Sequence, residues 1–156
     1  MIPVIDKLFL GNREMAKDAR RLKQKGITHV VNCAEELPDY HPKEFRYLSL
    51  KMKDPDPRLA THLVAAAAFI DEGRAEGGVL VHCFAGVSRS PAVILAYLCH
   101  HHAEALPVAA KRLASAVWTN PDLAFLAQIA AHLNTPMSSS ELEAVSRLLC
   151  GRPVEA

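Results

Sequence analysis

The sequence predicts a single α/β domain with a central, mostly parallel sheet of four to five strands and helices on both faces. Its 156 residues suit one domain with a core of its own. Short apolar runs alternate with longer segments of helical periodicity, and strands separated by helices usually pair in parallel. The predicted strands are residues 7–10, 27–33, 45–50 and 79–82.

Glycine and proline mark the limits of the predicted helices. An amphipathic helix over residues 14–25 ends at Gly26, and an alanine-rich helix over 58–75 ends near Gly77. Pro55 and Pro57 predict a loop before the alanine-rich helix, because proline donates no backbone hydrogen bond. Three more helices are expected at residues 88–102, 107–118 and 121–133.

The last segment predicts one further helix. We assign residues 1–136 to the main domain and residues 137–156 to a helical extension. Ser138 and Glu141 have the spacing of a capping box, and leucines and a valine form one apolar stripe behind them. Such an extension packs on its own domain or contacts a second copy of the chain, so a homodimer is one expected partner.

Composition narrows the classes of function. The formal net charge is +1, which gives no field that would attract nucleic acid or an anionic membrane. No apolar run is long enough to span a bilayer, and the first residues do not form a signal peptide. The four cysteines form no Cys-x-x-Cys pair, so we expect no metal, no cofactor and a reducing compartment, cytoplasm or nucleus.

Residues 82–90 are the most informative segment. A buried strand, a tight loop and a helix start follow one another there, and this order builds a cradle for an anion. Pro91 suits the first helical turn because it lacks an N–H group. The backbone N–H groups expected to face the anion belong to Phe84, Ala85, Gly86, Val87 and Ser88, and the Ser88 side chain is expected to cap the helix or shape the loop. We call residues 84–89 the phosphate loop.

Two side chains of this segment carry the expected chemistry. Arg89 offers a planar, two-pronged donor that matches phosphate oxygens. Cys83 lies in the positive field of the loop and helix, where we expect it to be a thiolate, the nucleophilic form of cysteine. The segment therefore predicts a phosphate and an attacking sulfur in one place.

The pattern of His82, Cys83, five residues, Arg89 and Ser90 resembles the signature of the cysteine-dependent phosphatases. Its Ala-Gly-x-Ser-Arg-Ser form resembles the dual-specificity protein phosphatases in particular, and similar segments flank it in order over residues 3–134. The resemblance implies hydrolysis of phosphotyrosine and of phosphoserine or phosphothreonine in proteins, through a cysteinyl-phosphate and without a cofactor. It implies that Ser90 helps the sulfur leave and that His82 orients the loop.

The resemblance also implies a general acid, an aspartate about thirty residues before the cysteine. Asp54 and Asp56 lie 29 and 27 residues before Cys83. Asp54 is preferred because its spacing is closer, and Asp56 is expected to cap the following helix. Asn32 ends a strand that should neighbour the central one, where it either braces the phosphate loop or is a plain strand-end residue.

Two alternatives stay open. The same chemistry could act on a non-protein phosphate, such as a phosphoinositide, an RNA 5′-phosphate or a phosphoglycan. The variable loop positions carry no lysine, which favours protein substrates. A non-catalytic module that binds phosphoproteins is the second alternative, and the intact Cys83 and Arg89 argue against it.

Overall fold

The computed structural model describes residues 1–151 and shows five strands and seven helices over that range. The strands are β1 (Ile2–Ile5), β2 (Leu8–Gly11), β3 (Ile27–Ala34), β4 (Arg46–Met52) and β5 (Gly78–His82). The helices are α1 (Arg13–Lys17), α2 (Ala19–Gln24), α3 (Leu59–Glu76), α4 (Arg89–His102), α5 (Leu106–Ala114), α6 (Leu123–His132) and α7 (Ser139–Cys150).

The strands form one sheet in the order β1-β2-β5-β3-β4. Every neighbouring pair is parallel except β1 and β2, which are antiparallel. The central strand β5 is buried over all five residues, and its Val81 is level with Leu10 on β2 and Val31 on β3. The predicted single α/β domain with a mostly parallel sheet is confirmed.

Two apolar clusters cover the two faces of the sheet. The larger lies beneath α3, α4 and α6, and α4 is buried from Arg89 to Cys99 because it runs through the middle of this layer. The smaller includes Leu22 of α2 together with Val30 and Leu80 of the sheet. Both faces are therefore covered, and the polar site must lie at an edge of the sheet.

The structure differs from the prediction in two places near the amino terminus. The expected helix over residues 14–25 is divided at Asp18, which ends α1 and caps α2 by accepting a hydrogen bond from the Arg21 N–H at 3.1 Å. Strand β1 was not predicted. It has four residues with a proline at the second, and its pairing with β2 leaves no clear alternation in burial.

The C-terminal helix α7 packs on α5 and α6. Its capping box between Ser138 and Glu141 is formed, and Val145 and Leu149 are buried. A role for α7 in a dimer stays a prediction. Over residues 1–151, no helix combines the length and the apolar character that crossing a membrane needs.

Candidate active site

Strand β5 ends at His82, so Cys83 lies just beyond the carboxyl edge of the sheet. The chain turns through residues 84–88 and enters α4 at Arg89. The start of a 14-residue helix therefore faces the loop, and its free N–H groups and dipole add positive character there. This is the cradle that the sequence predicts.

The Cys83 sulfur lies at the base of the loop, and the residue is only 2% exposed. Its Sγ is 3.1 Å from Ser90 Oγ, and the Gly86 N–H donates a hydrogen bond to it at 3.3 Å. The Gly86 N–H is thus a donor to the sulfur, and the Ser90 hydroxyl is placed where it can be a second one. The position of Ser90 suits the role that the resemblance implies.

Gly86 and the loop after β2 fix the shape of the phosphate loop. Gly86 has a φ of 75°, and a Cβ at this position would lie 2.9 Å from the Gly11 carbonyl oxygen. A side chain there would be both strained and blocked. On the outside, the Arg13 N–H donates to the Phe84 carbonyl at 3.1 Å, and the Arg13 guanidinium stacks 3.8 Å from the Phe84 ring centroid.

The Arg89 guanidinium is held by two acceptors that sequence reasoning missed. Its Nη1 donates to Glu36 Oε2 at 2.9 Å and to the Met52 carbonyl at 3.0 Å. Burial alone would lower the pKa of Arg89, but the hydrogen bond and charge of Glu36 outweigh it and raise the pKa above its usual range. No sequence signal distinguishes Glu36 from Glu35 and Glu44, the other glutamates between β3 and β4.

Asp54 lies on the rim of the site, close to the phosphate loop. The Ser88 hydroxyl donates to Asp54 Oδ1 at 2.7 Å, and the same Ser88 oxygen accepts from the Asp122 N–H at 3.0 Å. Ser88, expected only as a cap or loop residue, therefore joins three segments. They are the loop before α3, the phosphate loop and the segment before α6.

Asp56 has a different environment, although it is two residues away. Its carboxylate is fully buried and accepts from the Lys53 N–H at 3.0 Å and from the Arg58 N–H at 2.9 Å. The Arg58 guanidinium also pairs with it, and chiefly this pairing holds the pKa of Asp56 far below its usual range. Asp56 organises the turn into α3, whereas Asp54 faces the site.

His82 is fully buried, and its Nδ1 lies 3.4 Å from the Cys83 carbonyl oxygen. Burial lowers the pKa of His82 to about 4, so the ring is neutral near neutral pH. A neutral, enclosed ring suits a residue that shapes the loop and is unsuited to passing protons to solvent.

Asn32 does not brace the phosphate loop, which was one of the two roles considered for it. Its Nδ2 donates to the Leu37 carbonyl at 2.9 Å and to Asp39 Oδ1 at 3.1 Å, while its Oδ1 accepts from the Ala34 N–H at 3.1 Å. The register with β4 shifts between Asn32 and Ala34, which directs the side chain toward the following loop. Asn32 therefore organises the loop that carries Glu36, and it reaches Arg89 only through that loop.

An open cleft of ≈ 900 Å³ lies at the carboxyl edge of the sheet, with Cys83 and most of the phosphate loop in its lining. Three carboxylates, from Glu36, Asp54 and Asp122, line it together with the Arg89 guanidinium. Ser146 of α7 also contributes to the wall, which places the C-terminal helix beside the site. The arrangement offers a nucleophile at the base, anion-binding donors around it and a carboxyl group on the rim.

Comparison with known proteins agrees with this geometry. The family model "Dual specificity phosphatase, catalytic domain" matches residues 8–135, and the chain belongs to this family. Human DUSP28, whose crystal structure superposes with a TM-score of 0.79, is 30% identical, and the match covers 86% of this chain and 96% of that one.

Two curated relatives extend the comparison. Dual specificity protein phosphatase 26 of Bos taurus is 37% identical over 132 residues, which are 80% of this chain and 63% of the relative. MAP kinase phosphatase with leucine-rich repeats protein 2 of Dictyostelium discoideum is 45% identical over 96 residues, 61% of this chain and 14% of the relative. The chain thus spans less than two thirds of the length of either relative.

Proposed function

We propose that the chain hydrolyses phosphotyrosine and phosphoserine or phosphothreonine in proteins through a cysteinyl-phosphate intermediate. The observation that carries the proposal is the position of the Cys83 sulfur. It lies at the base of the cleft, within 3.1 Å of Ser90 Oγ and 3.3 Å of the Gly86 nitrogen, with Asp54 on the rim.

In the first step, the loop N–H groups and Arg89 bind the three non-bridging phosphate oxygens. The Cys83 thiolate attacks phosphorus, an S–P bond forms, and the ester P–O bond breaks. Asp54, in its protonated form, gives its proton to the departing oxygen of the amino-acid side chain. Arg89 and the loop stabilise the charge that spreads over the equatorial oxygens in the transition state.

In the second step, a water molecule attacks the phosphorus of the cysteinyl-phosphate. The ionised Asp54 accepts a proton from that water, the S–P bond breaks, and inorganic phosphate leaves. Ser90 donates a hydrogen bond to the departing sulfur, which is 3.1 Å from its hydroxyl in the structure. The enzyme returns to a thiolate and a protonated acid, so the cycle balances.

The charge around the cleft supports protein substrates. Glu36, Asp54 and Asp122 surround the single guanidinium of Arg89 among the lining residues. Additional negative charges on a phosphoinositide headgroup, an RNA chain or a phosphoglycan would be repelled by this rim. A phosphopeptide brings one phosphate and can bring lysine or arginine beside it, which the rim attracts.

A substrate panel tests the proposal. The wild-type chain and Cys83→Ser are assayed on phosphotyrosine and phosphothreonine peptides, a phosphoinositide, a phosphoglycan and a 5′-phosphorylated RNA. We expect kcat/KM for phosphotyrosine peptide to exceed that for each non-protein phosphate by at least about 10-fold, or roughly 1.4 kcal/mol of transition-state binding. Mass spectrometry of acid-quenched enzyme should find phosphate on Cys83.

Two results would overturn the proposal. Faster turnover of the lipid, glycan or RNA substrate than of the phosphopeptides would show that the substrate is a non-protein phosphate. Tight peptide binding with no more turnover than Cys83→Ser would make it a phosphoprotein-binding module.

A further inference from the structure

A second cluster of polar groups lies at the opposite, amino edge of the sheet. His29, near the start of β3, is fully buried, and its Nε2 is 3.4 Å from Glu72 Oε2 and 3.7 Å from Glu76 Oε2. The two glutamates are four residues apart in the last part of α3, so both carboxylates are on one face of that helix. All three ligand atoms lie within 4.8 Å of one another.

The neighbours of His29 hold its ring in place and are compatible with a proton on Nδ1. Its Nδ1 lies 2.7 Å from Thr28 Oγ1, and the Thr28 hydroxyl donates to the Gly78 carbonyl at 3.5 Å. In the Nδ1–H tautomer, the Thr28 oxygen accepts from the ring while its own proton goes to Gly78, and the lone pair of the neutral ring is on Nε2. Phe69 packs edge-on against the ring with centroids 5.0 Å apart.

This lone pair has no partner among the described residues. Nε2 is buried and makes no hydrogen bond, and neither glutamate oxygen is close enough or well enough directed to form one. A buried polar atom without a partner is destabilising, so native proteins rarely leave one. An imidazole lone pair that faces two carboxylates is a set of donors suited to a divalent cation.

The distances from His29 to the two glutamates suit such an ion. Zinc bonds to histidine nitrogen and carboxylate oxygen at about 2.0–2.2 Å, so two ligands of a tetrahedral ion are about 3.3–3.6 Å apart. The two observed His–Glu distances, 3.4 and 3.7 Å, lie within or just above this range. We propose that His29, Glu72 and Glu76 bind a divalent metal ion of the zinc class.

The surroundings position the two glutamates. A Cβ on Gly73 would lie 2.4 Å from Val79 Cγ2 and 2.8 Å from His29 Cβ, so only glycine allows α3 to approach β3 this closely. Arg46 Nη1 donates to Glu72 Oε1 at 3.0 Å, which holds that carboxylate with Oε2 toward His29. The charge of Arg46 lowers the affinity for a cation, and the two carboxylates offset it.

The ion would join β3 to α3 and take no part in hydrolysis, since Cys83 lies at the other edge of the sheet. The glutamate side chains are 41% and 52% exposed, so the ion can enter from solvent and a water can complete its coordination. The cysteine pattern gave no sign of this site because no ligand is a cysteine. The histidine is on β3, and both glutamates are much further along the sequence, on α3.

The site is tested by titrating Zn²⁺ into the full-length Cys83→Ser variant, which lacks the reactive thiol. Isothermal titration calorimetry measures the binding. We expect one saturable site and a rise in Tm of at least about 5 °C at saturation. Glu76→Gln changes an exposed side chain and should preserve the circular dichroism spectrum, yet weaken Zn²⁺ binding at least about 10-fold. His29→Gln should weaken it at least as much.

Two control variants separate this site from incidental zinc ligands. Glu143→Gln replaces an exposed glutamate on α7, and His101→Gln changes the histidine run at the end of α4. Both should bind Zn²⁺ as the parent does. The proposal is overturned if no saturable site is found, if Glu76→Gln binds with parental affinity, or if His101→Gln removes the binding. Failure here would leave the proposed hydrolysis untouched.

Discussion

The two edges of the sheet collect opposite kinds of polar groups. At the carboxyl edge, the phosphate loop and the start of α4 present N–H groups around Cys83, with the Arg89 guanidinium beside them. At the amino edge, α3 ends with Glu72 and Glu76 above His29. In a parallel sheet the helices begin at one edge and end at the other, so their dipoles have the same sense. Topology thus makes the backbone at one edge suited to an anion and at the other to a cation, and the acidic rim of Glu36, Asp54 and Asp122 limits how much negative charge the first edge accepts.

The largest effect should come from removing the nucleophile at the carboxyl edge. Cys83→Ser keeps the donors but places there a hydroxyl that is not ionised near neutral pH. We expect turnover of an aryl phosphate to fall below about 1% of wild type, a loss of more than roughly 2.7 kcal/mol of transition-state stabilisation. Phosphopeptide affinity, measured by calorimetry, should remain. Turnover well above this level would contradict covalent catalysis by Cys83.

Arg89→Lys tests whether catalysis needs only a positive charge at this position or also the planar guanidinium group. Lysine keeps the positive charge but has no planar fork, and it loses the paired contact with Glu36 and Met52. We expect kcat/KM to fall by more than about 10-fold. Glu36→Gln keeps the shape and removes the charge, so it should cost only a few-fold. Equal losses would show that charge balance dominates.

Asp54 and Asp56 provide a comparison within one loop. Asp54→Ala should reduce kcat for phosphotyrosine peptide by about 10-fold or more. It should spare activated aryl phosphates, whose oxygen leaves unprotonated. Measured across substrates of different leaving-group basicity, this selectivity identifies the general acid.

Asp56→Ala is the matched variant and should show no such selectivity. It removes a buried carboxylate that accepts hydrogen bonds from Lys53 and Arg58, so we expect a loss of about 2 kcal/mol in the free energy of unfolding. Urea denaturation measures this loss. A selective loss with poor leaving groups in Asp56→Ala, and not in Asp54→Ala, would reverse the assignment.

A change in stability with pH, rather than a loss of activity, is the effect expected from His82. Its pKa is lowered by burial to about 4, against 6.5 for the free side chain. The unfolded chain therefore binds the proton more readily, so stability is complete above pH 6.5 and is lost as the pH falls toward 4.

Between pH 7 and pH 5, His82 alone should lower the free energy of unfolding by about 2 kcal/mol. His82→Gln should remove that part of the slope, while His132→Gln at an exposed position should keep it. Urea denaturation at pH 7 and at pH 5 measures how much the free energy of unfolding of each variant changes. An unchanged slope in His82→Gln would mean that other groups carry the acid sensitivity.

The sequence predicted the elements whose signals are local. Buried strand β5, the tight turn at Gly86 and the helix that follows are encoded by consecutive residues, so their order and their place at the sheet edge were predictable. Strand β1 was not, because its pairing depends on β2 rather than on a pattern of its own. The break at Asp18 was hidden because helical periodicity continues across it.

The missed parts of the site are contacts between distant segments. Glu36 and Arg89 are 53 residues apart, and only the folded sheet brings them together. Ser88 looked like an ordinary cap, yet its hydroxyl joins segments 34 residues away on either side. For Asn32 the sequence left two roles open, and its partners in the following loop became visible only in the folded chain, where the register after it is irregular. Contacts between side chains of distant segments leave no periodic pattern in the sequence from which they could be predicted.

The position of Ser146 has a consequence for how this cleft diversifies. The family model ends at residue 135, yet α7, which follows it, supplies part of the wall beside the phosphate loop. Helix α7 packs on α5 and α6, so its cleft-facing residues can be exchanged while the loop around Cys83 is kept. A substitution at Ser146 would therefore change the wall of the cleft without changing any residue that holds Cys83.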